Sequence, residues 1–236
     1  MINTRIFAIS MLVAAFLAPL IYAQDLSRYR EFQFGASLPA VAKQVNMKPS
    51  EAKAIHQRPA VIQELEWQAQ DVLTPSQRVD SVKSILFSFY NGALFRILVT
   101  YDPARTEGMT ADDIIEDISA KYGTAIKPVA EIVLSSTSLY SDGEKTISDR
   151  SEKVLARWED EQYSYNLIQS SYQTTFGLVV YSKRLDAQAR AAIVEAIRLD
   201  EQEVPQRELA RQRKKADEDR AKQEKARLVN KRLFRR

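Results

Sequence analysis

The sequence predicts an α+β fold in which antiparallel β-meander sheets pack against helices and a charged helix ends the chain. Two apolar segments flank Asn91-Gly92, a pair typical of a tight β-hairpin. Apolar residues recur with a helical period at 38–45, 114–122 and 189–197. From Pro205 onward, lysine and arginine dominate. These observations together predict sheet, packing helices and an exposed helical tail.

The composition excludes several classes of site. The 236 residues contain no cysteine and one histidine, His56. Disulfides, thiolate zinc sites, cysteine nucleophiles and metal sites with several histidine ligands are therefore excluded within one chain. We predict no cofactor, no metal and no catalytic residue, and therefore a protein that is not an enzyme.

The first 23 residues predict export. Arg5 precedes an apolar stretch at 6–20, and Ala23 provides a small residue at the end, which is the layout of a secretory signal peptide. Cleavage after Ala23 would give a periplasmic or secreted protein with no transmembrane span. The alternative is an uncleaved anchor, because the apolar stretch approaches the length that spans a bilayer.

Charge divides the remaining chain into two parts. Residues 205–236 contain 13 Lys/Arg and five Asp/Glu, a net charge of +8, whereas residues 24–204 carry a net charge of −6. We therefore predict a globular domain at 24–204 and a basic helical tail at 205–236.

The elements before the hairpin are predicted from local signals. Alternating aromatics at 29–35 predict a strand, and Ser37 is placed to cap a short helix at 38–45. Residues 48–55 predict a helical turn with His56 at its end, where a structural role is favoured over a catalytic one. Residues 61–67 alternate as a strand.

The hairpin spans Val82 to Tyr101. A two-residue loop pairs Phe89 with Leu94, Phe87 with Arg96 and Ile85 with Leu98 on one face. Both faces are rather apolar, so we expect helices over one face and partial shielding of the other.

A second meander and its helices follow. Thr110 is placed to cap a helix that Gly123 ends. Strands are predicted at 153–158, 163–172 and 176–183, and a last helix is predicted from Asp186. The order of elements resembles two degenerate meander-plus-helix halves.

Two groups of side chains in the domain are candidate functional groups. Aromatic residues crowd the second meander; cross-strand packing is their usual role, and an uncovered face would make them a partner-binding patch. The members of this patch are Trp158, Tyr163, Tyr165, Tyr172 and Tyr181. Acids cluster at 102–117 and 159–161, but their spacing lacks the ligand pattern of a calcium loop.

The tail is the second candidate region. Glu218 and Lys222, Glu208 and Arg211, Asp217 and Arg220, and Glu224 and Arg227 have the spacing of helical charge pairs. A solvated appendage is one interpretation, and an arm that binds anions is the other. The candidate anion-binding residues are Arg211, Arg213, Lys214, Lys215, Lys222, Lys225 and Arg227. Membrane headgroups, cell-wall polymers and acidic proteins are the anions considered; nucleic acid is not expected for an exported protein.

Phe34-Gly35-Ala36-Ser37 with Val41, followed by Phe89-Tyr90-Asn91-Gly92 with Leu94, resembles the small exported proteins of the outer-membrane-assembly lipoprotein and β-lactamase-inhibitor-protein group. The resemblance covers about residues 32–102, without the lipoprotein cysteine. It implies a non-enzymatic binding or scaffold protein that uses a sheet face.

Three functional hypotheses follow. The first is an exported, non-catalytic binding or scaffold protein of the cell envelope that uses its sheet face, its tail or both. The second is a carboxylate-dependent hydrolase of cell-wall material, which needs two acids flanking a groove. The third makes the tail the functional part and the domain its carrier.

Overall fold

A computed structural model describes residues 25–69, 81–128, 132–134, 151–170 and 175–234. The predicted signal peptide and Tyr172 lie outside these ranges. The strands are β1 (Arg28–Tyr29), β2 (Phe32–Gln33), β3 (Lys53–His56), β4 (Ile62–Gln68), β5 (Val82–Tyr90), β6 (Ala93–Tyr101), β7 (Ile132–Leu134), β8 (Ser151–Glu159), β9 (Tyr163–Ser170) and β10 (Phe176–Ser182). The helices are α1 (Leu38–Gln44), α2 (Ala111–Tyr122) and α3 (Lys183–Phe234), with a 3₁₀ turn at Pro49–Glu51.

The predicted α+β class is confirmed. Strands β3 to β10 form one antiparallel sheet in the order β3-β4-β5-β6-β10-β9-β8-β7, while β1 and β2 form a small separate hairpin. Each half of the large sheet is a run of sequential antiparallel strands followed by a helix, and the halves join where β6 pairs with β10. In the part of the chain that the structure describes, no helix is long and apolar enough to cross a membrane.

Helices pack on both faces of the large sheet. The first face carries the main core, in which residues of β5, β6, β8, β9 and β10 form one cluster with the β1–β2 hairpin, α1 and α2. Helix α2 contacts β8. On the second face, Ala189 and Ile193 of α3 pack against Ile62 and Phe95. The expectation of helical cover is therefore met on both sides, with α2 and α3 on opposite faces.

The central hairpin confirms the predicted turn but corrects its register. Asn91 and Gly92 both have positive φ, as a two-residue turn of this kind requires. Phe89 pairs with Leu94 as predicted, but a bulge at Phe95 then pairs Arg96 with Ser88 instead of Phe87. The extra residue moves Arg96 to the second face. Without the bulge, a guanidinium would enter the apolar main core.

The segment before the hairpin departs from prediction in three places. The strand expected at 29–35 is the tight β1–β2 hairpin, with Arg30 at positive φ. Ser37 precedes α1, but its side chain makes no capping hydrogen bond. The helical turn expected over 48–55 is only a 3₁₀ turn, after which His56 lies in β3, because residues 53–56 pair with β4.

Arg96 and Asp186 form a buried ion pair between the sheet and α3. Their relative exposures are 1% and 4%. Arg96 donates from Nε to Asp186 Oδ1 at 2.9 Å and also from Nη2, and Arg190 Nε donates to Oδ2 at 2.7 Å. Asp186 lies in the first turn of α3, where a carboxylate is also stabilised by the helix dipole. The pair therefore fixes the start of α3 on the sheet.

Polar residues extend from this ion pair across the second face. Glu64 pairs in register with Ser88, and Ser88 with Arg96. Ser88 Oγ lies 3.5 Å from Glu64 Oε1. Burial raises the pKa of Glu64 to about 6, although the Ser88 hydroxyl and Arg96 oppose the shift. A protonated carboxyl is thus favoured beside the buried pair in mildly acidic solution.

We predict that Arg96→Met lowers the free energy of unfolding by about 3–5 kcal/mol, because the buried Asp186 carboxylate loses its main partner. The loss in free energy of unfolding for the double variant Arg96→Met/Asp186→Leu should be smaller than the sum of the losses for the two single variants. Denaturant titration measures both. Arg198→Met, which breaks the exposed pair with Glu195, is the control and should lower the free energy of unfolding far less. Equal losses in Arg96→Met and Arg198→Met would contradict this account.

We also predict that stability falls between pH 4.5 and about 6. In this window Glu64 holds its proton in the folded state and loses it in the unfolded state, so rising pH favours unfolding. Glu64→Gln should flatten this part of the pH profile and raise the free energy of unfolding at pH 7 by up to about 2 kcal/mol. Denaturant titrations across the pH range test this, with Glu66→Gln as the control on the same strand. An unchanged profile in Glu64→Gln would refute it.

Candidate functional site

The exposed second half of α3 is the most prominent feature outside the domain. The helix is continuous from Lys183 to Phe234, whereas the sequence predicted a start at Asp186 and a composition boundary at Pro205. We call residues 205–234 the arm. Every arm residue whose side chain is described is exposed. At 1.5 Å per residue, the arm extends about 45 Å from the domain.

The candidate basic residues all lie along this arm. Two predicted charge pairs are present, Arg211 with Glu208 at 3.9 Å and Arg227 with Glu224 at 3.1 Å. Lys222 reaches Asp219 at 3.9 Å. Within the described residues, no ion pair engages four candidates, Arg213, Lys214, Lys215 and Lys225. These four cations are available to an external anion.

An ionic clamp holds α3 where the arm begins. Arg58, in the loop between β3 and β4, donates from both terminal nitrogens to Glu203, at 2.5 and 2.6 Å. Its Nη2 also approaches Asp200 at 3.5 Å. Arg207 reaches the same two carboxylates at 3.0 and 3.1 Å. Hydrogen bonding by Arg58 lowers the pKa of Glu203 to about 2. We call Arg58, Asp200, Glu203 and Arg207 the clamp.

The clamp brackets a weak point in the helix. Pro205 lies inside α3 and has no N–H, so the carbonyl of Glu201 loses its helical hydrogen bond. A proline in a helix interior costs about 3 kcal/mol relative to alanine. The Glu203–Arg207 ion pair spans Pro205 and supports the helix across it. The arm therefore leaves the domain as a continuation of the packed helix.

The clamp was missed by sequence reasoning. Glu203 and Arg207 have the spacing of a helical charge pair, which was a readable signal. Arg58 lies 145 residues from Glu203 along the chain. No local pattern connects such distant positions.

The candidate aromatic residues do not form one exposed patch. Trp158 and Tyr165 are buried in the main core, where Trp158 Nε1 donates to the Gly123 carbonyl at 2.9 Å and the Tyr165 hydroxyl to that of Arg28 at 2.5 Å. Tyr163 is half-buried against the same core and stacks on Phe34. Tyr181 lies on the second face, with Arg96 over its ring. The described members therefore act mainly in packing, on two faces.

Four acids of the two acidic clusters have structural partners. Asp113 forms a capping box with Thr110, whose backbone hydrogen bond lowers the pKa of that carboxyl. Asp112 pairs with Lys127, and Glu159 pairs with Lys183, each at 2.8 Å. Asp160 accepts hydrogen bonds from two backbone amides of the β8–β9 turn. Across the described ranges, no group of three or more acids and histidines is arranged to hold a metal ion.

No protein-family model, curated protein or solved structure matches the chain. The resemblance to the outer-membrane-assembly lipoprotein and β-lactamase-inhibitor-protein group thus stays a prediction. Geometry and charge are the grounds for a functional proposal.

We predict that Arg58→Ala loosens the arm with little effect on stability. The clamp is exposed, so its loss should change the free energy of unfolding only slightly. Spin labels at Ser50→Cys and Ala216→Cys should report a broader distance distribution in this variant. The same distribution should stay narrow at pH 4 in the parent protein, because the lowered pKa of Glu203, about 2, keeps its carboxylate charged beside Arg58 at that pH. Arg198→Ala is the control, and equal broadening in both variants would contradict the role of the clamp.

Proposed function

We propose that the protein is an exported, non-catalytic binding protein that holds an anionic surface of the cell envelope with its arm. The α+β domain is the base from which the arm projects. The observation that carries this proposal is the single 52-residue helix, packed on the sheet in its first half and fully exposed in its basic second half.

The rigidity of the attachment supports a binding role. Asp186 ties the start of α3 to Arg96, and the clamp ties its middle to Arg58. A flexible tail loses conformational freedom on binding, whereas a helix that is already ordered loses less. The domain therefore preorganises the cations of the arm in space.

The covered sheet faces favour the arm over the sheet as the binding element. The first face is occupied by the β1–β2 hairpin, α1 and α2, and Ile62 and Phe95 of the second face are covered by α3. A partner that bound the sheet at these positions would have to displace these elements. The arm needs no rearrangement to be reached.

The proposal predicts salt-dependent binding of a soluble polyanion. Long-chain polyphosphate is a suitable probe, and its affinity should fall steeply as salt rises. Lys214→Gln/Lys215→Gln removes two cations that have no ion pair, and should weaken binding roughly 30-fold if each contributes about 1 kcal/mol near an anionic surface. Fluorescence anisotropy of labelled polyphosphate measures the change.

The matched control is Lys43→Gln/Lys48→Gln, which removes the same charge from the exposed surface of the domain. This variant should bind polyphosphate nearly as well as the parent protein. Equal weakening in both variants would show attraction to overall charge and would overturn the arm as the binding element. Absence of any polyphosphate binding at low salt would overturn the proposed function itself.

A further inference from the structure

We propose that the end of the arm is a membrane-interface segment that binds bilayers containing anionic phospholipid. We call residues 226–234 the tip. The inference rests on the proposed function and names the surface that the arm would engage. It depends on apolar side chains that a purely electrostatic arm would not need.

Large apolar residues are concentrated at the tip. From Ala210 to Arg227 the sequence contains none, and four then follow within seven positions. All four are exposed, Leu228 and Val229 at 51%, Leu233 at 64% and Phe234 at 94%. Exposed apolar groups of this size are unfavourable in water unless another phase or partner covers them.

Two of the four large apolar residues share one side of the helix. Successive residues rotate by about 100° around the axis, so Ala226, Val229 and Leu233 fall on one stripe. Phe234 lies about 100° from Leu233 and Leu228 about 140° from it, so both extend the apolar surface beyond the stripe. Arg227 and Lys231 lie at least about 100° from every residue of the stripe. The tip thus combines an apolar stripe with cations around it, the two features by which a basic helix binds a membrane surface.

The charge around the tip selects an anionic surface. Residues 220–236 contain eight Lys/Arg and one acid, a net charge of +7, and are preceded by the acidic run at 217–219. The excess of cations in this last segment disfavours pairing with a second copy through the same segment. A hydrated polyanion would neutralise the cations but leave Leu233 and Phe234 in water. A bilayer with anionic headgroups satisfies both the charge and the apolar stripe.

A fluorescent label at the tip tests insertion in the full chain. The protein has no cysteine, so Asn230→Cys can be labelled alone with an environment-sensitive dye. Vesicles of phosphatidylcholine mixed with phosphatidylglycerol should shift the emission to the blue and make it sensitive to brominated lipid. Phosphatidylcholine alone should do so much less, and a label at Ala216→Cys, in the middle of the arm, should respond weakly. Residues 1–23 are the same in both labelled proteins, so the difference between the two label positions reports on the tip.

Matched substitutions separate insertion from charge. Leu233→Glu, on the stripe, should raise the lipid concentration needed for half of the emission shift at Asn230→Cys at least about tenfold. Leu228→Glu adds the same charge on the other side of the helix and should raise this lipid concentration by a factor several-fold smaller. Equal effects of the two changes, or a dye that stays in water on anionic vesicles, would overturn the inference. Retained polyphosphate binding in that case would leave the proposed function standing, and loss of both would refute both.

Discussion

The position of α3, and with it the direction of the arm, depends on one buried ion pair. Arg96 is too costly to bury without a carboxylate, and Asp186 supplies one from the first turn of α3. The bulge at Phe95 places Arg96 on the second face, and Phe95 itself packs against the helix there. Polar and apolar contacts thus specify the same docking site. A shift of α3 along the sheet would break the ion pair and the contact with Phe95 together.

This docking explains how a long polar helix persists in water. An isolated helix of the composition of the arm has few apolar contacts, and helix nucleation is unfavourable. The packed residues of α3 already form the first helical turns. The helix then extends into the arm without a new nucleation step. Ion pairs at helical spacing add small increments along it. Pro205 opposes propagation, and the clamp joins the domain to Asp200 and Glu203 before it and joins these two residues to Arg207 after it.

Local signals in the sequence predicted most helices and strands, whereas long-range contacts determine the strand register, the pairing of β3 and the clamp. Asn91-Gly92 and the Thr110 capping box predicted a hairpin and a helix start because each interaction lies within a few residues. The strand partners of Arg96 and Ile85 were predicted wrongly, because the bulge at Phe95 places Arg96 beside a carboxylate that lies 90 residues away along the chain. The turn predicted before His56 failed because pairing with β4 outweighed a weak local preference. Of the candidate site, charge predicted the basic arm, but the clamp depends on Arg58, which no spacing rule connects to Glu203.

The separation of charges along the chain gives the arm its reach. Residues 24–204 carry a net charge of −6, so a flexible basic tail would be drawn back to the domain that bears it. A helix of about 45 Å instead places the last basic segment several screening lengths away, because the Debye length is about 8 Å at physiological salt. Two acids at the base of the arm, Asp200 and Glu203, are already paired with Arg58 and Arg207. Rigid attachment and distance together leave the cations at the end of the arm for an external anion, a result that composition alone would not produce.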